Sequence, residues 1–156
     1  MSNYQWEDKC WGRTKQLWIT AGPPMTKHIL EMKANTFCSF HYHRNRANVF
    51  HVLSGHVRLI LLNGLTLSPV DLKENLVFIV PARVCHQFQV VEDSTMVEDY
   101  FCESGAVPNP DDIERLWPGG VTSEKLMSIS PRLLLPNGQL WVPSAPGALL
   151  ELPNAV

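Results

Sequence analysis

The sequence predicts an all-β fold, a sandwich or a closed barrel. Two observations carry this. Short runs rich in β-branched, aromatic and aliphatic residues follow one another at near-even spacing from Lys15 to about Glu103. Between them stand residues that favour turns rather than strands or helices. A chain of 156 residues is also long enough to bury one sizeable core without disulfide staples.

In order, strands are expected at Gln16–Thr20, Lys27–Met32, Phe37–His43, Val49–Leu53, Val57–Leu62, Asn75–Val80, His86–Val91 and Thr95–Phe101. Ala34-Asn35, Ser54-Gly55, Asn63-Gly64, Pro81 and Glu92-Asp93-Ser94 separate them. Asn35 and Gly55 supply the left-handed conformation that tight turns need. After Phe101 the texture changes. Asp111 or Asp112 reads as the N-cap of a helical turn over Ile113–Leu116, and a second short helix is expected from Thr122 or Ser123. Leu133-Leu134-Leu135 and Leu140-Trp141-Val142 flank Pro136-Asn137-Gly138-Gln139, and Asn-Gly between apolar runs signals a hairpin. This gives a barrel domain over 1–118 and a C-terminal helical and hairpin appendage over 119–156, packed on the barrel or on a partner subunit.

Charged residues are 18% of the chain and the formal net charge is -2, which gives no basic footprint for nucleic acid. The longest aliphatic run, around Val57–Leu62, is far too short to span a bilayer. Met1–Lys9 is polar and mixed in charge, unlike a signal peptide, so a cytoplasmic location is expected. Cys10, Cys38, Cys85 and Cys102 are scattered without a CxxC pair and read as reduced, buried thiols. Trp6, Trp11, Trp18, Trp117 and Trp141 read as core or interface anchors. His28, His51 and His56 read as surface or packing residues.

The remaining histidines carry the chemistry. Residues two apart on a strand share a face, so His41 and His43 point the same way. Asn48 opens the next strand on the face of Phe50 and Val52, and His86 opens a later strand after Pro81. Strand parity sends Cys38, Tyr42, His51 and Cys85 away from the cavity. Imidazole binds zinc, copper, iron and nickel, and two rings on one strand with a third on a neighbour make a facial set that leaves positions open.

Together these residues resemble the two motifs of the cupin superfamily. His41-Tyr42-His43, four residues, Asn48, six residues and Gly55 match the first in spacing. Pro81-Ala82-Arg83-Val84-Cys85-His86 matches the second. Asn48 stands where the family has a glutamate, and Arg83 where it has a glycine. Trp11-Gly12-Arg13, Arg46, Phe50 and Asp111-Asp112-Ile113-Glu114-Arg115 are further similar to the cupin domain of type II mannose-6-phosphate isomerases.

The resemblance implies a double-stranded β-helix (jelly-roll) barrel, a homodimer, and one divalent ion (zinc, iron, nickel or manganese) on His41, His43 and His86. Asn48 lies near or at a fourth position. An uncharged ligand set leaves the ion its positive charge and favours an anionic or sugar-like small ligand. Arg46, Arg83, Arg44 and Lys27 are candidate cations for it. Phe50 and Phe88 are expected to line the barrel and keep the site dry. Three functions follow: sugar-phosphate isomerisation, three-histidine iron dioxygenation, and binding without turnover.

Overall fold

A computed structural model describes residues 5–17, 22, 24–64, 66–123, 125–126, 133–134 and 140–141. Its strands are β1 (Glu7–Lys9), β2 (Gly12–Leu17), β3 (Met25–Met32), β4 (Thr36–Phe37), β5 (Phe40–Tyr42), β6 (Ala47–Ser54), β7 (His56–Asn63) and β8 (Thr66–Lys73). They continue with β9 (Val77–Val80), β10 (Cys85–Val90), β11 (Ser94–Phe101), β12 (Glu114–Trp117), β13 (Gly120–Val121), β14 (Leu133–Leu134) and β15 (Leu140–Trp141). One sheet runs β1-β2-β3-β11-β6-β9. The other runs β12-β5-β10-β4-β13, with β7 along the far side of β10 and β8 outside β7. Neighbours pair antiparallel throughout.

The two sheets close on an apolar interior. Leu30, Phe50, Val52, Val80 and Met96 from the first face Cys38, Val57, Leu59, Leu72, Phe88 and Val90 from the second. Alternation explains the sidedness: on β10, His86, Phe88 and Val90 turn in, while Cys85, Gln87 and Gln89 turn out. The outward face of the second sheet is buried too. Phe40, Ile60 and Trp117 pack there with Leu133, and Phe37 and Val91 pack with Leu126 and Leu134. Buried Gln87 binds the Leu134 backbone in both directions. Its amide nitrogen donates to the Leu134 carbonyl at 2.9 Å, and its oxygen accepts the Leu134 N–H at 3.0 Å. The hairpin expected after Leu133 is present as β14 paired with β15, its turn lying outside the described residues. Asn35 and Gly55 take positive φ of 61° and 84°, as their turns require.

Several expectations are corrected. The strand expected over Phe37–His43 is broken at Cys38-Ser39, and both pieces pair with β10. The break spends one extra residue, so Phe37 and Phe40 both face out while Cys38 and His41 both face in. Cys38 therefore lies in the barrel interior, against the simple parity reading. Asn75 sits in a turn at φ 66°, and its strand begins at Val77. The strand expected at Gln16–Thr20 occupies Gly12–Leu17, with residues 18–20 outside the described set. The helical turn over Ile113–Leu116 is instead strand β12, paired with β5 through Glu114↔Tyr42 and Arg115↔His41. Its supposed cap is engaged elsewhere: the Asp112 carboxylate accepts the backbone N–H groups of Arg44 and Asn45, both at 2.9 Å. Thr122 and Ser123 are not helical, and most of the stretch after them lies outside the described residues. Among the described residues no helix is long and apolar enough to cross a membrane.

Candidate metal centre

His41 on β5, His43 just beyond it and His86 on β10 meet at one end of the barrel. β10 places His86 directly opposite His41 in the ladder. The ring centroids of His41 and His86 are 4.4 Å apart, and those of His41 and His43 are 5.0 Å apart. Taking one ring nitrogen from each, the set lies within 4.8 Å. All three residues are buried.

The donor chemistry fits a cation. His41 Nδ1 meets the Ser39 carbonyl at 2.8 Å, His86 Nδ1 meets the Val84 carbonyl at 2.9 Å, and His43 Nδ1 meets the Asp112 carbonyl. A carbonyl only accepts, so each Nδ1 carries the proton and each Nε2 keeps a lone pair. Tying the outer nitrogen to a backbone carbonyl is how proteins orient metal-binding imidazoles. Arg46 Nε also lies 3.2 Å from His43 Nδ1. That nitrogen cannot donate to Asp112 and accept from Arg46 at once, and the closer Asp112 contact decides for the donor. Burial holds all three rings neutral. It pulls His86 down to about 4, and with the Arg46 charge it pulls His43 to about 4. His41 falls well below the ordinary histidine value through burial and then through His86 and His43 beside it.

Asn48, fully buried at the start of β6, completes the ring of side chains. Its Nδ2 lies 3.3 Å from His43 Nε2, 3.5 Å from His86 Nε2, and 2.9 Å from Glu98 Oε1. Its Oδ1 has no partner among the described residues. Glu98 and Tyr100, neighbours on the inner face of β11, were not singled out by the sequence reading. Burial pushes Glu98 up to about 7, although the Tyr100 hydroxyl and the Asn48 amide both bond to it. Burial, and then the Glu98 charge, push Tyr100 up. A signal existed in the sequence: Met96, Glu98 and Tyr100 share strand parity, and a glutamate in such a row has to face either solvent or a polar site.

The other candidates scatter. The buried Arg46 lies over the Tyr100 ring at 4.1 Å and donates to the Asn109 carbonyl at 3.0 Å. Phe50 packs on His86 with centroids 6.0 Å apart. Phe88 packs deeper in the interior, edge-on to Trp11 at 5.3 Å. Lys27 pairs with Asp99 at 2.6 Å, on the opposite face of the sheet from Glu98 and Tyr100. Arg83 Nε donates to the Arg44 carbonyl at 3.3 Å, and Arg44 pairs with Glu114 at 2.8 Å. His28, expected to be a packing residue, rests edge-on against Tyr100 at 5.2 Å. A separate groove of about 630 Å³ opens at the other end of β6 and β11, lined by Arg13, Glu31, Lys33 and Asp93 among others. Arg13 pairs with Glu31 there, and Lys33 with Asp93.

No curated protein matches the sequence. Residues 28–98 match the family model of the cupin domain. Among solved structures, oxalate decarboxylase from Bacillus subtilis at pH 4.6 superposes with a TM-score of 0.61 at 13% identity, over 73% of this chain and 30% of that one. Two variants of that enzyme give 0.62 at 13% identity, over 73% and 30%, and 0.56 at 14% identity, over 65% and 28%. The chain thus spans under a third of the oxalate decarboxylase chains, and at this identity the likeness concerns the fold alone. Residues 28–98 are thus similar to the cupin domain, the two facing antiparallel sheets agree with that fold, and the three-histidine cluster lies inside the matched region.

Proposed function

We propose that this protein is a metal-dependent cupin that holds one divalent ion on His41, His43 and His86 and binds a small anionic ligand beside it. The observation that supports this most is the set of three Nδ1–carbonyl bonds, which leaves three Nε2 lone pairs converging at a buried point. The bound ion would supply Lewis-acid polarisation of an oxygen ligand. Three uncharged donors cancel none of its charge, and the low basicity of the rings keeps them available as ligands well below neutral pH. Phe50 against His86 and the apolar interior behind it exclude water from one side. Arg46, fixed over Tyr100, adds a positive charge beside His43. A small carboxylate, such as the oxalate handled by the structurally similar decarboxylase, suits this electrostatic setting.

Sugar-phosphate isomerisation draws less support. Phosphate needs free cations, whereas Lys27 and Arg44 are engaged with carboxylates and Arg83 with a backbone carbonyl. The carboxylate-free histidine set favours, as a second reading, an iron-dependent oxygenation of a chelating substrate.

Elemental analysis of purified and reconstituted protein tests the core of the proposal. About one divalent ion per chain is expected for a tightly bound mononuclear site, and none in His43→Ala. A metal-free wild type after reconstitution would overturn it. Turnover assays with oxalate, mannose 6-phosphate, and thiols under oxygen with ferrous protein then separate the chemistries.

A further inference from the structure

We infer that Asn48 is a hydrogen-bond donor to an anion bound at the three-histidine centre, not a fourth ligand, and that Glu98 is the positioning residue that fixes its amide. This rests on the metal-centre reading above and names what selects the ligand there.

The argument is one of donors and acceptors. The Asn48 amide is fully buried, so its orientation is decided by its neighbours and not by water. Its NH₂ group has two hydrogens. One goes to Glu98 Oε1 at 2.9 Å. The other lies on the side of His43 Nε2 and His86 Nε2, at 3.3 and 3.5 Å. The reverse orientation would set Oδ1, which only accepts, against the ionised Glu98 carboxylate, which also only accepts. The Tyr100 hydroxyl donates to the same carboxylate and holds it in place. Register supports the grouping: Asn48 lies opposite Tyr100 across the β6–β11 ladder, and Glu98 lies two pairs along on the same face, opposite Phe50.

The consequence for recognition is direct. An N–H cannot donate electrons to a cation, so this face of the site does not add a ligand. It can bond to a negatively charged oxygen or nitrogen held by the ion. Asn48 Oδ1, buried without a partner among the described residues, is the cost of that orientation. The carboxylate absent from position 48 of the motif is thus present one layer further out, where it organises the donor and leaves the ion its full charge.

The test uses protein loaded with cobalt(II), whose visible spectrum reports coordination, and azide as the anion, with affinities from calorimetry at pH 8. Wild type, Asn48→Asp and Glu98→Gln are compared, both variants being close to isosteric. In Glu98→Gln, cobalt content and the azide-free spectrum are expected to stay as in wild type, while azide binds about tenfold more weakly, the loss of one charge-assisted hydrogen bond. In Asn48→Asp, the new carboxylate is expected to tighten cobalt binding, change the azide-free spectrum and weaken azide by at least as much. Azide affinity within twofold of wild type in both variants would overturn the inference. So would an Asn48→Ala protein whose azide-free spectrum differs from wild type, because Asn48 would then be a ligand. Failure of wild type itself to take up cobalt would instead remove the metal reading, a separate outcome. If Glu98→Gln does not fold, Asn48→Asp and Asn48→Ala decide alone.

Discussion

At His41, His43 and His86, burial selects the neutral ring, and metal binding needs that same form. The proton linkage follows in sign. A histidine whose folded value drops from 6.5 to about 4 costs the folded state nothing above pH 6.5 and loses stability as pH falls through 4. For His86 alone the loss is about 3 kcal/mol. Glu98 works the other way: with its value raised to about 7, its contribution is present at low pH and lost as pH rises through 7. With three histidines against one glutamate, the melting temperature of metal-free protein is expected to fall between pH 6.5 and pH 4, and more steeply in Glu98→Gln. Circular dichroism melts over that range check this, and a flat or rising profile would contradict it. Arg83 gives a second prediction at this scale. It sits at φ 68°, where the cupin motif has glycine, so Arg83→Gly is expected to leave stability unchanged or raise it by about 1 kcal/mol. The three histidines were legible in the sequence because strand parity and motif spacing agree there. Cys38 was misread because parity cannot see an inserted residue, and Glu98 was missed because its polar partners come from a strand about fifty positions away (Asn48) as well as from its own.

The connection between β5 and β6 is where an element, and not a residue, makes the site. His43 lies past the end of β5, so its position depends on the turn that follows. Asp112 holds that turn twice, through its carboxylate on the Arg44 and Asn45 N–H groups and through its carbonyl on His43 Nδ1. Asp112→Ala is expected to cost about 1–2 kcal/mol of stability. It should also lower metal affinity about 10-fold or more, as losses in the supporting layer of a metal site usually do, and parallel denaturation and metal titrations separate the two effects. The β6–β7 turn is tighter still. A side chain at Gly55 would meet the Asp93 carbonyl and Ser94 Oγ, both at 2.3 Å, and the backbone there is left-handed. Gly55→Ala should lose roughly 2–4 kcal/mol in urea unfolding. That glycine was readable from sequence because its conformational demand is local. Strand β8 was not: Pro69 interrupts its pattern, and the strand survives because, among the described residues, only β7 pairs with it, leaving an edge where a missing N–H is tolerated. Strand β12 reads as helix because an Asp before an apolar stretch looks like an N-cap, while the bonds that occupy Asp112 come from Arg44 and Asn45, beside it in space but 68 and 67 positions earlier in the chain.

For the molecule as a whole, the two sheets differ in what covers them. On the outside of the first, Leu53, Val77 and Ile79 stand exposed along β6 and the edge strand β9. This stripe is what best supports the expected homodimer, and Ile79→Lys is expected to shift the mass seen by light scattering towards the monomer if the edge is the contact. The outside of the second sheet is covered by the chain's own later segments, joined to β10 by the two-way bond between Gln87 and Leu134. That bond bears on how the protein can be divided. Gln87 stands beside His86, facing out while the histidine faces in. A fragment ending near residue 118 would keep every histidine and the whole matched region. It would also uncover Phe37 and Ile60 and strip the buried Gln87 amide of both its bonds to Leu134. Such a fragment should aggregate or bind metal poorly, so the smallest working unit of this protein is longer than its recognisable one.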